Sequence, residues 1–515
     1  MSWKDLNELA PQLTQGEIRF EKVKRLAGLV LGPLSFALAL LLPPLDHVSP
    51  MGMRSLGIFC WIILWWITEA IPIPATSLLV MPLMVVCGIF PMEKAFGYWS
   101  HWIVIFLLGA FIIGHAMQLH GLTRRFGLSL VASRLVGGSP WRLLVWYLVA
   151  TAVVSGFMSN VVSCVLFLSM GIGLLEILKI QPGSGYGMAL FLGIAWVCNI
   201  GGMLTPGGTP TNLIAIGLAE NQGYHIGYGQ WILGNLPFTI LQMLAMFLVL
   251  RFFLRKDEMS HSIPQASIRE ELKRLGPFNR GEKLAAAAIG VAVLLWVLPD
   301  LAALPLFLGA RDPVTVWLRT HLNWGVVALL VAVSLFVLPV DWRARKFVMT
   351  WGEAARNIEW GTMALVAGAL GIGDLVGDKE VGLGEFFSYH ITAVAGGSAS
   401  PFVFLAVAIV IAVLLTNVAT TVAVISFMGP IALAVGPDLG LNPIALTVVL
   451  SFACTLGYLF PMANPPCAIV FASGYVRILP MFTRGALLAL IGIILLSGMG
   501  YSFVSWVFPW PLPAP

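Results

Sequence analysis

Residues 201–210 read Gly-Gly-Met-Leu-Thr-Pro-Gly-Gly-Thr-Pro and interrupt an apolar run that extends from residue 184 to residue 220. Glycine is conformationally permissive and proline lacks the amide proton that a helix needs, so this stretch predicts a broken helix. At membrane depth, irregular backbone is tolerated only where it is buried in protein or lines a cavity. We therefore expect freed carbonyl groups that can bind a cation and a half-helix N-terminus that can face an anion.

A second interruption of this kind occurs at residues 461–466, which read Pro-Met-Ala-Asn-Pro-Pro. It belongs to an internal repeat, because four short blocks of sequence recur 255 to 259 positions later. The paired blocks are Gly109-Ala110 with Gly368-Ala369, Ser159-Asn160-Val161 with Thr416-Asn417-Val418, Cys198-Asn199-Ile200-Gly201 with Cys454-Thr455-Leu456-Gly457, and Thr209-Pro210-Thr211-Asn212 with Asn464-Pro465-Pro466-Cys467. Four matches at nearly one offset indicate two related halves of the chain.

The composition indicates an integral membrane protein with several spans. Of the 515 residues, 59% are hydrophobic and 10% are charged, against roughly a quarter charged in a soluble domain. Apolar runs such as 26–43, 231–254 and 487–507 approach the ~20 residues that a bilayer-spanning helix needs. The net charge of +5 does not indicate a nucleic-acid partner, because basic residues of a membrane protein mark its cytoplasmic side. All six cysteines lie in apolar spans, which favours neither disulfides nor a zinc site.

The distribution of lysine and arginine predicts the topology. Eleven spans and two hairpins, 140–178 and 401–435, leave 24 of the 29 basic residues on one side if each hairpin enters and leaves on the same side. The spans are 26–43, 55–70, 75–90, 101–118, 184–220, 231–252, 284–302, 323–340, 359–376, 442–474 and 485–508. The first 25 residues are polar and basic and lack a signal-peptide pattern, so we expect a cytoplasmic N-terminus and an external C-terminus.

The two hairpins are therefore re-entrant and open to opposite sides, which makes the repeats inverted. Inverted repeats with interrupted helices are typical of secondary transporters that bind their substrate near the middle of the membrane. Each hairpin tip carries a hydroxyl and an amide, Ser159 with Asn160 and Thr416 with Asn417, and no Lys or Arg lies at either tip or break. An anion there must be held by hydroxyls, amides and helix dipoles, and a co-bound cation would offset its charge.

Two other classes of function fit the sequence less well. An intramembrane enzyme would need a nucleophile–base or metal arrangement, and neither H-E-x-x-H nor G-x-S-x-G occurs. A channel would need a continuous pore, whereas paired broken helices and opposed hairpins favour one enclosed site. We therefore expect a transporter without enzymatic activity.

From about Leu56 to Phe508 the chain resembles the divalent anion:sodium symporter (DASS) family, which includes the INDY-type dicarboxylate transporters. The motifs that carry the resemblance are Trp65-Trp66-Ile67-Thr68-Glu69-Ala70-Ile71-Pro72, the two hairpin tips, Gly207-Gly208-Thr209-Pro210-Thr211-Asn212, and Asn464-Pro465-Pro466-Cys467-Ala468-Ile469-Val470-Phe471. The resemblance implies an elevator-type homodimer in the inner membrane of a bacterium, with a rigid scaffold and a moving transport domain. It also implies sodium-coupled transport of a small divalent anion, with the C4-dicarboxylates succinate, malate and fumarate as first candidates.

The resemblance divides the chain into scaffold and transport parts. The scaffold consists of helices at 26–118, helices at 221–358 with a cytoplasmic amphipathic linker at 256–283, and a final helix at 475–515, and a cytoplasmic N-terminal segment at 1–25 precedes it. The first transport half is 119–220, with the hairpin 140–178 and the break 201–210. The second transport half is 359–474, with the hairpin 401–435 and the break 461–466.

The resemblance also implies the roles of individual residues. The residues implied to contact the substrate are Ser159, Asn160, Val161, Thr209, Pro210, Thr416, Asn417, Val418, Asn464 and Pro465. Ligands of a first sodium site are implied to be Ser155, Ser159, Asn160 and the carbonyl of Gly208. Those of a second site are implied to be Asn417 and the backbone of Ala463.

The chain departs from the family at three of these positions. Val161 and Val418 replace threonines at the tips, and Ala412 replaces a hydroxyl of the second sodium site. We therefore expect one intact and one weakened sodium site. The alternatives left open are a sodium-independent exchanger of dicarboxylates or other anions, and a transporter of sulfate or another small anion.

Overall fold

The protein is a bundle of α-helices in a computed structural model that describes residues 15–45, 48–181, 184–254, 265–394 and 400–510. Within these ranges, nine helices are long and apolar enough to cross a membrane, and a tenth span results if Pro313–His321 and Trp324–Leu335, bent by 65°, are counted as one. The predicted all-α polytopic class is therefore confirmed. Parts of the predicted N-terminal segment, linker and C-terminal segment lie outside the described residues.

The first half of the described chain is entirely helical apart from its connections. Its helices are α1 (Gln15–Leu41), α2 (Pro50–Thr68), α3 (Ile73–Val86), α4 (Met92–Gly97), α5 (Trp102–Leu119), α6 (Leu122–Val131), α7 (Pro140–Ser155), α8 (Asn160–Ile177), α9 (Gly185–Gly202), α10 (Pro210–Asn221) and α11 (Tyr228–Phe253).

The second half adds thirteen helices and one two-stranded antiparallel sheet, again within the described residues. Its elements are α12 (Gln265–Arg274), α13 (Arg280–Ala302), α14 (Pro313–His321), α15 (Trp324–Leu335), β1 (Pro339–Asp341), β2 (Lys346–Phe347), α16 (Trp351–Asn357), α17 (Trp360–Gly377), α18 (Leu383–Val394), α19 (Pro401–Thr416), α20 (Thr421–Val435), α21 (Pro443–Cys454), α22 (Pro465–Ala472), α23 (Ile478–Leu495) and α24 (Tyr501–Val507).

The span expected at 323–340 is shorter in the structure, because α15 ends at Leu335 and the chain then forms the hairpin of β1 and β2. The Asp341 carboxylate accepts hydrogen bonds from the amides of Arg343 (2.9 Å) and Ala344 (3.1 Å), which hold the turn between the strands. Local side-chain bonding to the backbone thus replaces the last turn of the expected helix.

Both predicted hairpins are pairs of helices joined by a few non-helical residues. The helices α7 and α8 are separated by residues 156–159, and α19 and α20 by residues 417–420. The helix α7 has 16 residues, which extend about 24 Å at 1.5 Å per residue. This is less than the ~30 Å of a bilayer core. The helices α7, α19 and α20, with 16, 16 and 15 residues, are short for a span. The helix α8, with 18 residues, is one of the nine described helices long enough to cross.

The first break covers residues 203–209, within the predicted 201–210, since α9 ends at Gly202 and α10 begins at Pro210. The second break begins earlier than the expected 461–466, because α21 already ends at Cys454 and α22 begins at Pro465. The Thr455 hydroxyl donates to the carbonyl of Phe452 at 2.7 Å, a local bond that accompanies the end of the helix.

Segments rich in Lys and Arg meet at one end of the bundle. The Arg125 guanidinium lies 2.8 Å from the carboxylate of Glu282 and donates to the carbonyl of Gly276 at 2.8 Å. The His120 imidazole lies 2.8 Å from the carbonyl oxygen of Val348. These contacts join the segments 119–142, 265–283 and 341–358, which we call the basic end.

The opposite end of the bundle joins segments that the topology assigns to the other side. The Lys94 ammonium lies 3.1 Å from the Asp378 carboxylate. The Asp374 carboxylate accepts hydrogen bonds from the Tyr98 hydroxyl at 2.9 Å and from the Asn221 amide at 2.5 Å. These contacts join residues 94–98, 221 and 374–378 at a distance from the basic end.

Candidate functional site

The first hairpin tip is bonded to the last turns of α9. The Ser155 hydroxyl at the end of α7 lies 2.8 Å from the side-chain oxygen of Asn160 and 2.9 Å from the carbonyl oxygen of Cys198. The Asn160 amide donates to the side-chain oxygen of Asn199 at 3.5 Å. Two of the predicted first-site sodium ligands, Ser155 and Asn160, are therefore in direct contact.

The backbone of the first break is held by one buried amide. The Asn212 side chain donates toward the carbonyls of Gly202 (3.0 Å), Met203 (3.3 Å) and Thr205 (2.8 Å). The Thr205 hydroxyl in turn donates to the carbonyl of Gly156 in the hairpin. The break and the first tip are thus one hydrogen-bonded unit.

Two glycines allow this close approach. A Cβ atom on Gly202 would overlap the side-chain oxygen of Asn160, and one on Gly208 would overlap the carbonyl oxygen of Gly202. Gly202 therefore lies between the tip amide and the predicted carbonyl ligand at Gly208. Glycine is required at 208 because backbone contacts backbone, and at 202 because the Asn160 side chain contacts the backbone, rather than for a special φ angle.

The second hairpin tip is bonded to the second break in a related way. The Thr416 hydroxyl donates to the carbonyl of Cys454 at 2.7 Å. The Asn417 side chain accepts a hydrogen bond from the amide of Leu459 at 3.0 Å and donates to the carbonyl of Val413 at 2.7 Å. Asn417 thus connects the tip to the non-helical segment that follows α21.

The second break ends with an asparagine cap. The Asn464 side chain accepts a hydrogen bond from the amide of Cys467 at 3.0 Å and donates to the carbonyl of Gly457 at 2.5 Å. A Cβ atom on Gly457 would lie 3.3 Å from Ala463, whose backbone is the other predicted ligand of the second sodium site. Pro465 is exposed at the first helical position of α22, where its missing amide proton carries no cost.

The two repeats meet at their breaks. The Thr455 hydroxyl lies 2.7 Å from the sulfur of Met203, and the Cys164 thiol of α8 lies 3.7 Å from the carbonyl oxygen of Pro466. Two sets of tip and break residues therefore share one central region of the bundle.

The remaining predicted substrate contacts differ in their exposure. Thr209 is buried, and its hydroxyl lies 3.2 Å from that of Thr211. Pro210 is half-buried at the start of α10. Val161 and Val418 are 36% and 48% exposed, so both tip valines present apolar surface outward.

A cleft opens beside the first tip, toward the basic end. Ser159, Phe157 and Gly207 line one side of it, and His115 and Glu359 belong to the residues that line the rest. Sequence reasoning did not include His115 or Glu359 among the site residues. The repeated Gly-Ala blocks place α5 and α17 at matching positions of the two halves, but only the folded chain shows that both contribute to this cleft.

Two carboxyl groups, those of Glu359 and Glu353, lie in or near this cleft. None of its described lining residues is Lys or Arg. The Glu359 carboxylate accepts a hydrogen bond from the Thr362 hydroxyl at 3.0 Å. Hydrogen bonds from the Thr350 hydroxyl and amide lower the pKa of nearby Glu353 below its usual range, so this carboxyl group is ionised at neutral pH.

Candidate cation ligands in the described part of the chain are neutral oxygens. His, Cys, Asp and Glu side chains form no group of three or more there that could hold a metal ion. Hydroxyl, amide and carbonyl oxygens such as those of Ser155 and Asn160 suit a hard cation. The donor set of the first site is therefore chemically compatible with sodium.

The fold and the site define a membrane transporter with two broken-helix repeats, and the chain belongs to the family described as "Sodium:sulfate symporter transmembrane region", which matches residues 23–510. This membership confirms the resemblance to the divalent anion:sodium symporters. The chain is 30% identical over 494 residues to the sodium-dependent dicarboxylate transporter SdcS of Staphylococcus saprophyticus, with 94% of this chain and 92% of that protein covered. It is 29% identical over 484 residues to the SdcS protein of Staphylococcus aureus strain USA300, with 92% and 90% covered.

Solved structures of other transporters share the fold. MtrF of Neisseria gonorrhoeae matches with a TM-score of 0.55 at 13% identity, covering 95% of each chain. The YdaH transporter of Alcanivorax borkumensis matches with a TM-score of 0.50 at 18% identity, covering 81% of this chain and 88% of that one. At these identities the likeness concerns the fold alone.

Proposed function

We propose that this protein is a sodium-coupled secondary transporter of small divalent anions, with the C4-dicarboxylates succinate, malate and fumarate as its first substrates. The observation that carries the proposal is the paired arrangement of tips and breaks, in which Asn160 and Asn417 occupy matching positions. The full-length similarity to two transporters named as sodium-dependent dicarboxylate transporters supports the choice of ion and substrate class.

The chemistry of the region explains why the anion needs a cation. The tips and breaks offer hydroxyls, amides and helix N-termini but no Lys or Arg. A fully charged dicarboxylate in such a region is stabilised when sodium binds to Ser155, Ser159, Asn160 and the Gly208 carbonyl beside it. Symport then follows, because neither charge enters the low-dielectric interior alone. The protein's task is translocation, and we assign it no enzymatic reaction.

The proposal includes the arrangement in the membrane. The basic end faces the cytoplasm, as the distribution of Lys and Arg favours, in the inner membrane of a bacterium with the N-terminus inside and the C-terminus outside. The hairpins are re-entrant from opposite sides and the repeats are inverted. The tip and break helices move as a transport domain against a scaffold in each subunit of a homodimer.

Uptake into proteoliposomes tests the function. Purified protein is reconstituted, and labelled succinate uptake is measured while sodium replaces choline at constant ionic strength. We expect saturable uptake that requires sodium and is inhibited by malate and fumarate. Preloading with unlabelled dicarboxylate identifies exchange, and uptake that needs internal anion but no sodium would contradict symport. Thermal stabilisation by sulfate without any response to dicarboxylates would contradict the substrate class.

A further inference from the structure

A buried amide in α9 has an unused hydrogen-bond donor. Asn199 is 4% exposed, and its side-chain nitrogen has no hydrogen-bond partner among the described residues. Its side-chain oxygen accepts from the Asn160 amide at 3.5 Å. A buried donor without an acceptor is costly to a fold, so such a group requires an explanation.

The neighbouring bonds determine which end of the amide is free. The Ser155 hydroxyl lies 2.8 Å from the Asn160 oxygen, so the Asn160 nitrogen faces Asn199. The Asn199 oxygen is therefore the acceptor. The Asn199 NH₂ group is then the last group in the series of hydrogen bonds that runs from Ser155 through Asn160 to Asn199. Reversing Asn199 would bring two NH₂ groups together.

The repeat counterpart of Asn199 has no such free donor. Thr455 occupies the matching position 256 residues later. Its hydroxyl donates to the carbonyl of Phe452 at 2.7 Å. The unused donor is thus specific to the first repeat, next to the tip amide of Asn160.

We propose that the Asn199 side-chain nitrogen donates a hydrogen bond to the transported anion. This inference rests on the proposed function and adds one neutral donor to a region that has no basic side chain at its tips or breaks. The donor is shielded from water, so an anion oxygen that reaches it gains a hydrogen bond without replacing one to solvent. Sodium bound to the Asn160 oxygen holds that amide in the orientation that leaves the Asn199 donor available, which links cation binding to anion binding.

Three variants separate this role from a structural one. Asn199→Asp keeps an acceptor for the Asn160 amide but loses the donor, Asn199→Leu loses both, and Thr455→Val changes the repeat counterpart. At pH 7.5 and saturating sodium, we expect both Asn199 variants to raise the succinate concentration for half-maximal binding about 10- to 100-fold. Thr455→Val is expected to remain within twofold of the unmodified protein.

Two further readouts are independent of the amount of folded protein. Thermal stabilisation by sodium alone is expected to persist in Asn199→Asp. Lowering the pH is expected to restore part of the succinate affinity of Asn199→Asp, relative to the unmodified protein at the same pH, because a protonated carboxyl group carries a donor.

The outcomes that overturn the inference are distinct. Succinate affinities within twofold of normal in both Asn199 variants would overturn it while leaving the proposed function intact. Loss of sodium stabilisation in Asn199→Asp equal to the loss of succinate binding would assign Asn199 a structural role instead. Absence of sodium-dependent succinate binding by the unmodified protein would overturn the proposed function, and this inference with it.

Discussion

The hydroxyl of Thr416 donates a hydrogen bond of 2.7 Å to the carbonyl oxygen of Cys454. In the first repeat, the carbonyl of Cys198 is instead 2.9 Å from the hydroxyl of Ser155, which lies one turn before the first tip. The second repeat thus places its tip hydroxyl on the backbone, and it has Ala412 one turn before the tip. One oxygen fewer is available to a cation there.

The first prediction is that Ala412→Ser strengthens sodium binding. Ala412 is fully buried, and a missing neutral ligand in such a place costs on the order of 1–3 kcal/mol, or roughly 10- to 100-fold in affinity. We expect a Hill coefficient for sodium below 2 in the unmodified protein and a lower half-saturating sodium concentration in the variant. Ala408→Ser, one turn earlier in α19, is the control. A Hill coefficient of 2 or more in the unmodified protein would contradict a weakened second sodium site. Uptake that is independent of sodium would contradict an intact first sodium site.

The second prediction is that Asn160→Ala and Asn417→Ala each abolish most transport while the protein still inserts into the membrane. Each change removes an amide at a tip, and in Asn417→Ala the bond from the Leu459 amide is also lost. Labelled succinate uptake per amount of reconstituted protein is the measurement. Ser169→Ala, an exposed position on α8 whose hydroxyl bonds only locally, is the control. Normal rates in both asparagine variants would place the binding site elsewhere.

The third prediction concerns the fit of the first break. Gly208→Ala introduces a Cβ atom that overlaps the carbonyl of Gly202, so the backbone that carries the predicted sodium ligand must move. We expect uptake to fall at least about tenfold and sodium stabilisation to weaken, since small displacements of binding groups are costly. Gly290→Ala in α13, where a Cβ atom meets nothing within 4 Å, is the matched control. Unchanged sodium stabilisation in Gly208→Ala would exclude this carbonyl as a ligand.

The breaks illustrate how far the sequence can predict this fold. The first break, residues 203–209, lies within the predicted 201–210 and differs from it by two residues at its start and one at its end, because glycine and proline fill it. The second begins at Thr455, before its prolines, and residues 455–460 contain only one glycine. There the Leu459 amide bonds to Asn417, so a tertiary contact with the hairpin accompanies the early end of the helix. Such contacts are not encoded in local propensity.

The candidate site likewise contains residues that the sequence predicts and residues that only the folded structure brings into view. The internal repeat is sufficient to select Asn160 and Asn417 as candidate site residues, since both lie at corresponding tip positions. It gave no reason to choose Asn199, whose importance depends on its distance to Asn160 and on the lack of a second partner. Glu359 was missed for a similar reason, because only the folded chain brings α17 beside the first tip.

The last prediction concerns Glu359, which lines the same cleft as Ser159 and Gly207, and no described lining residue of that cleft is Lys or Arg. A carboxylate that lines a cleft raises the local concentration of cations, and salt screens the effect. We expect Glu359→Gln to raise the half-saturating sodium concentration about threefold at low ionic strength. The difference is expected to shrink as choline chloride is added, because the interaction is electrostatic.

Two controls separate charge from structure in this experiment. Thr362→Val removes the 3.0 Å hydrogen bond to Glu359 but keeps the charge, so its sodium dependence should stay close to normal. Glu385→Gln removes a carboxylate from a cleft at the opposite end of the bundle and should likewise have little effect. Sodium is applied to each face of oriented proteoliposomes, and the shift is expected on the face of the basic end. A shift that is equally large at high ionic strength, or that appears in Thr362→Val, would mean that Glu359 shapes the cleft rather than attracting the cation.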